Sequence, residues 1–255
     1  MLKKSTGIDR FQEKYARHII LKELGEEGQR RIVSGRVLII GAGGLGSPVA
    51  MYLAAAGVGT IGIADADKVE LSNLQRQIIH TTKDIGRYKV DSAKDRIQAM
   101  NEAVKVETHA IYLDSDNITD IVKNYDFVLD CTDNFETKFL INDICVKNKI
   151  VFCHAGVTGF EGQLMTVVPG EGPCYRCVFK NPPPEGAVPS CREVGIIVAL
   201  CGVIGSLQAM EAIKYLAGIG ELLTGQLLTY DALTTTFHTV SLPKADKNCK
   251  ACGDI

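Results

Sequence analysis

Residues 36–50 read Arg36-Val37-Leu38-Ile39-Ile40-Gly41-Ala42-Gly43-Gly44-Leu45-Gly46-Ser47-Pro48-Val49-Ala50. Arg36 to Ile40 is a short apolar run, the pattern of a strand covered on both faces in a parallel sheet. Gly41 to Gly46 fits G-x-G-x-x-G, and the small residues from Ser47 to Ala56 predict a helix immediately after it. Glycines there permit a tight turn and let backbone N–H groups approach phosphate oxygens at a helix N-terminus. The next strand, Thr60 to Ala64, ends at Asp65, where an acid can accept hydrogen bonds from ribose hydroxyls, and Asp67 follows on the same side. Strand, glycine loop, helix and acid together predict a nucleotide site. The rival reading of the same glycines is a packing turn without a ligand.

On either side of this unit the pattern continues. Asp9 to Val33 has helical periodicity, with Phe11, Tyr15, Ile19, Ile20 and Leu24 at three- and four-residue steps. Downstream, helices are expected at Lys89–Met100, Asn117–Lys123 and Phe135–Lys147. Strands are expected at Lys105–His109, Asp126–Asp130 and Ile150–Ala155. Such alternation implies a parallel sheet with right-handed crossovers. After Gly156 the strands Gln163–Val168 and Leu227–Tyr230 lack a helix between neighbours, which predicts antiparallel additions. Asn181 to Cys191 carries Pro182, Pro183, Pro184, Gly186 and Pro189 and reads as a mobile loop. No clean linker is visible. The expectation is one α/β domain over 1–255, a doubly wound, Rossmann-like, mostly parallel sheet. It comprises a helical segment (1–35), a nucleotide-binding half (36–155) and a further half (156–255).

Composition narrows the function classes. With 255 residues, 46% of them hydrophobic, the chain can bury a sizeable core. A net charge of -2 gives no reason to expect nucleic acid or an anionic membrane as partner. The apolar stretch Gly195 to Leu207 is shorter than the roughly 20 residues a membrane span requires, so it predicts a buried helix. Met1 to Gly7 is followed by charged sequence and carries no export signal. Nine cysteines without such a signal imply thiols or metal ligands rather than disulfides, and a cytoplasmic protein.

The glycine loop alone does not separate a nicotinamide dinucleotide from ATP. Ligands of doubly wound sheets sit at the carboxyl ends of strands. The loop segment Asn73-Leu74-Gln75-Arg76-Gln77, Lys89 opening a helix, and Asp133 beyond the strand ending at Asp130 would therefore converge there. A dehydrogenase has no need of these cations beside a carboxylate. Cleaving pyrophosphate from ATP does, because charge develops on the leaving group and Mg²⁺ requires a hard oxygen ligand. Hydride transfer with NAD, or nucleotide binding by a zinc protein without turnover, are the alternatives.

Cys174-Tyr175-Arg176-Cys177 and Cys249-Lys250-Ala251-Cys252 are two C-x-x-C knuckles. Four thiolates suit tetrahedral Zn²⁺ and leave no open position, so the site would be structural; redox use of one pair is the rival. Val178 to Asn248 is a longer gap than a compact zinc ribbon has, so the fold must bring the knuckles together. Cys191, beside Arg192 and ahead of an apolar helix, reads equally as an activated nucleophile or an incidental loop thiol. Cys131, Cys145, Cys153 and Cys201 are assigned to packing.

Together these residues resemble the bacterial ThiF/MoeB/HesA family, relatives of ubiquitin-activating enzymes. The likeness runs from Tyr15-Ala16-Arg17-His18 to Cys252. It is carried by Gly41–Gly46, Asp65-x-Asp67, Asn73-Leu74-x-Arg76-Gln77, Lys89, Asp130-Cys131-Thr132-Asp133-Asn134 and both knuckles. The resemblance implies adenylation of the C-terminal Gly-Gly carboxylate of a small ubiquitin-like sulfur-carrier protein, releasing pyrophosphate, in thiamine, molybdopterin or related biosynthesis. By it, the half 156–255 would bind the carrier and the zinc. Asp65 and Asp67 would handle the ribose and its surroundings, Asn73, Arg76 and Lys89 the phosphates, and Asp133 the Mg²⁺. Arg17 would reach a neighbouring subunit's site, which implies a homodimer. Cys191 matches a cysteine that joins covalently to the carrier in some members. With no appended rhodanese-type segment before Ile255, a separate sulfur donor would be required.

Overall fold

The computed structural model describes residues 7–184 and 191–253, excluding the side chains of residues 7–9, 191 and 192. In chain order it has α1 (Gly7–Ile19), α2 (Gly25–Ser34), β1 (Arg36–Ile40), α3 (Gly46–Ala56), β2 (Thr60–Ala64), α4 (Lys89–Met100), β3 (Lys105–His109), α5 (Ile118–Val122), β4 (Phe127–Asp130), α6 (Phe135–Lys147) and β5 (Val151–Thr158). Then follow β6 (Glu161–Val167), α7 (Tyr175–Val178), α8 (Cys191–Val194), α9 (Val198–Ala217), β7 (Gln226–Asp231) and β8 (Thr236–Ser241).

Among the described residues, eight strands form one sheet in the order β3-β2-β1-β4-β5-β6-β7-β8. β1 to β5 are parallel, and β6, β7 and β8 continue it antiparallel. The chain steps outward from β1 to β3 and then returns to the other side of β1 with β4. The β1–β4 junction is thus the switch point where ligands of such sheets bind. Register makes the strand ends level there: Ile40 pairs with Ala64 on one side and Asp130 on the other, and Asp130 pairs with His154. Cα pairing in parallel strands puts the paired side chains on the same face.

Each face of the sheet has its own core. One is built from Val37, Ile39, Ile61, Phe127 and Leu129 against α3, α4 and α9. The other joins Leu38, Val128 and Phe152 to α5, α6 and the cysteine knuckles. α9 is the buried helix expected around 195–207, though it extends over 20 residues, and among the described residues no helix is long and apolar enough to cross a membrane.

Two sequence expectations are refined. The periodic stretch 9–33 is two helices: the chain turns at 20–24, and Gly25 has φ +61°, with its N–H donated to Leu21 O at 2.8 Å. That backbone region is open to glycine at no steric cost. β8 was not anticipated. Five of its six residues are exposed, so it has no apolar face for period-two reading to detect.

Candidate active site

The glycine loop leaves β1 at the switch point. Gly41 has φ +97°, and a Cβ on it would lie 2.7 Å from Cys131 O, so this turn packs directly on the turn after β4. A Cβ on Gly46 would come within 2.0 Å of Gly41 O, so only glycine lets α3 start that close to the loop. Gly43 has more room, its nearest neighbour being Gln77 Nε2 at 3.6 Å from a notional Cβ.

Asp65 ties the loop to the end of β2. Its carboxylate accepts the Ala42 N–H and the Asp67 N–H, both at 2.8 Å. Burial pushes its pKa up, against the opposing pull of the Lys89 charge and those two N–H groups. Lys89, buried at the start of α4, donates to Asp67 Oδ2 at 2.7 Å and lies 3.8 Å from Asp65 Oδ2. His80 sits beneath the loop, with Nε2 3.1 Å from Ala42 O and Nδ1 2.8 Å from Ser92 Oγ, and burial lowers its pKa.

The glycine loop, Asp65, Asp67 and Lys89 border a cleft of about 970 Å³. Gly41, Gly43, Gly44, Asp65, Asp67, Arg76, Gln77, Lys89 and Asp133 all line it. Arg76 donates to Ser72 O at 3.1 Å, and the buried Gln77 Oε1 has no hydrogen-bond partner among the described residues. Asp133 is exposed on the turn between β4 and α6. The far wall is made by the end of β5 and the antiparallel strands, through Gly156, Gln163, Tyr230 and His238. The cleft is at the upper end of the range for small-molecule sites and continues past the glycine loop, leaving room for a second reactant.

Three predicted site residues lie off the lining. Gly46 acts through packing, as above. Asn73 accepts the Glu70 N–H at 3.2 Å and shapes the turn that carries Arg76. Arg17 is exposed in the last turn of α1 and does not line this chain's cleft. The Cys191 side chain falls outside the described residues, as do residues 185–190 of the proline-rich segment.

The knuckles meet despite their separation. The Sγ atoms of Cys174 and Cys249 are 3.6 Å apart, those of Cys177 and Cys252 3.4 Å, and those of Cys174 and Cys177 3.9 Å. Four sulfurs about 2.3 Å from a tetrahedral zinc stand about 3.8 Å from one another, so the set fits that ion. Cys131, Cys145, Cys153 and Cys201 are buried, as packing residues should be, with Cys131 and Cys201 also touching the cleft.

Sequence reading missed the polar cluster below Asp133. Asp130, Lys138 and His154 are buried together, with Lys138 and His154 lining the cleft. The signal was present: an acid ending the apolar run Phe127–Leu129, and a histidine inside Val151-Phe152-Cys153-His154-Ala155.

Residues 15–251 match the ThiF family. The chain is 45% identical over 247 residues to the sulfur carrier protein adenylyltransferase of Thermus thermophilus, covering 95% of this chain and 91% of that protein. It is 46% identical over 241 residues to the adenylyltransferase and sulfurtransferase MOCS3 of Culex quinquefasciatus, covering 94% of this chain and 55% of MOCS3, so it spans about half that relative's length. The fold matches a crystal structure of E. coli MccB with MccA-N7isoASN at TM-score 0.82 and 20% identity, covering 98% of this chain and 76% of MccB.

Proposed function

The chain belongs to the ThiF family, and from that premise we propose that it adenylates the C-terminal carboxylate of a small ubiquitin-like sulfur-carrier protein. The observation that carries this reading is the charge set around the glycine loop: Arg76, Lys89, Asp65, Asp67 and Asp133 on one cleft that runs on to the antiparallel strands. The Thermus relative, named for this activity, supports the choice of substrate.

In this scheme ATP lies over the glycine loop, its ribose towards Asp65 and Asp67. A carboxylate oxygen of the carrier attacks the α-phosphorus, the bond from that phosphorus to the bridging oxygen breaks, and pyrophosphate leaves. The nucleophile belongs to the substrate, so the protein contributes positioning and charge stabilisation. Lys89 exchanges part of its pairing with Asp67 for phosphate oxygens. Arg76 and Gln77 face the same phosphates, with Asn73 holding their turn. Asp133 offers the hard oxygen that suits Mg²⁺, whose role is to neutralise phosphate charge. The far wall, at Gly156, Gln163, Tyr230 and His238, receives the carrier's Gly-Gly tail. Cys174, Cys177, Cys249 and Cys252 hold a structural Zn²⁺, and Arg17 projects into a second subunit's cleft in a homodimer. The chain works in the cytoplasm as a single domain.

Carrier-dependent ATP–pyrophosphate exchange tests the reading, with thiamine-type and molybdopterin-type carriers offered separately. Exchange that disappears when the Gly-Gly tail is deleted is the expected result. ATP binding without exchange for any carrier would favour a non-catalytic nucleotide binder.

A further inference from the structure

Beneath the turn that bears Asp133 lies a fully paired carboxylate. Asp130, at the end of β4, is 1% exposed. Its Oδ1 accepts both the backbone N–H (3.1 Å) and the hydroxyl (2.7 Å) of Thr132. Its Oδ2 is 2.8 Å from His154 Nδ1, and Lys138 Nζ donates to both oxygens at 3.1 and 3.3 Å and to Ala155 O at 2.8 Å. Gln208 from α9 closes the back by donating to Asp130 O at 3.0 Å and Cys153 O at 3.2 Å.

Burial alone would raise the Asp130 pKa, but the Lys138 charge and the hydrogen bonds outweigh it, and the carboxyl stays ionised. The hydrogen shared with His154 therefore sits on Nδ1, and the neutral ring leaves Nε2 as a bare, buried acceptor without a partner among the described residues. Tyr175 packs on the ring, centroid to centroid 4.5 Å, and fixes its plane. An unpaired Nε2 contributes nothing to holding the ring, so the orientation of His154 is held by what Nδ1 does.

We propose that Asp130 and His154 are positioning residues for the turn that presents Asp133: His154 aims the carboxylate, and the carboxylate clamps Thr132. The Cys131 carbonyl of that turn rests on Gly41, so the clamp also sets where Asp133 stands relative to the glycine loop. This inference rests on the reading of Asp133 as a residue of the phosphate end.

Two measurements separate positioning from general stabilisation: backbone hydrogen–deuterium exchange of the unliganded protein, and carrier-dependent ATP–pyrophosphate exchange. His154→Leu removes the ring donor. It is expected to speed exchange across residues 131–134 at least about ten-fold, leaving β1 and β2 protected, and to lower kcat about ten-fold with KM for ATP within about two-fold. His154→Asn, which keeps a donor near Nδ1, is expected to restore both. Thr132→Val and Thr132→Ser form a second pair at a half-buried position, serving if His154→Leu does not fold: Val loosens the turn and Ser preserves it. Unchanged exchange at 131–134 in the Leu or Val variant, or equal losses in conservative and non-conservative variants, would overturn the inference. If the unaltered protein catalyses no pyrophosphate exchange with any carrier, the functional reading falls, and hydrogen exchange alone judges the clamp.

Discussion

Lys89 illustrates how individual residues combine structure with chemistry here. A buried ammonium is costly unless paired, and Asp67 with Asp65 supplies the pairing. In the proposed reaction, that cation is the one that meets phosphate charge. The buried histidines behave oppositely, since burial lowers the pKa of both His80 and His154. Below about pH 6.5 the unfolded chain takes up protons at these positions while the folded chain does not. Stability should therefore fall as pH falls through that window, by up to about 1.4 kcal/mol per pH unit for each group. Thermal melts at about pH 7.5 and about pH 5.5 check this, with His154→Asn expected to shallow the dependence. A melting temperature that holds or rises on acidification would contradict it. Asp65, Lys89 and Asp133 could be read from the sequence because each follows a recognisable strand end or opens a helix, and Arg76 because it lies in the loop segment Asn73–Gln77 between β2 and α4. Asp130 and His154 could not be joined, since their meeting depends on β4 lying beside β5 in one register.

Among the elements, the β1–loop–α3 unit is tightly constrained. An alanine at position 46 would put a methyl 2.0 Å from the Gly41 carbonyl oxygen, so either α3 or the loop must move. Overpacking of this kind costs roughly 1–3 kcal/mol. Gly46→Ala should lower both the melting temperature and ATP affinity, whereas Gly43→Ala, with 3.6 Å of clearance, should keep the fold and weaken ATP alone. Calorimetry for both variants reads the difference, and equal thermal losses would show that room at the loop is not the constraint. The bounds of β1 and β2 were legible because apolar runs there stop at glycine or acid, and those of α4 because of its amphipathic helical period. β8 escaped because it lies at the exposed edge of the sheet, and the break between α1 and α2 because it lies inside a continuous helical period.

At the level of the whole molecule, the cysteine cluster bridges the segment after β6 and the chain beyond β8, linking parts distant in sequence. The knuckles were legible as motifs, but only the fold shows that they meet. Elemental analysis should find one zinc per chain. Cys252→Ser should lower the melting temperature by roughly 10 °C, given about 2–4 °C for each kcal/mol lost in a chain of this size. Metal-free protein that melts as the wild type does would remove zinc from the account.

The decisive observation is the product itself. Incubating the protein with ATP labelled at the α-phosphate and a carrier, without any sulfur donor, should place labelled AMP on the carrier's C-terminal glycine; hydroxylamine should then displace that AMP and leave the carrier as its hydroxamate. Carrier left unmodified, while label leaves as ADP or free AMP independently of its tail, would contradict acyl-adenylate formation in this cleft.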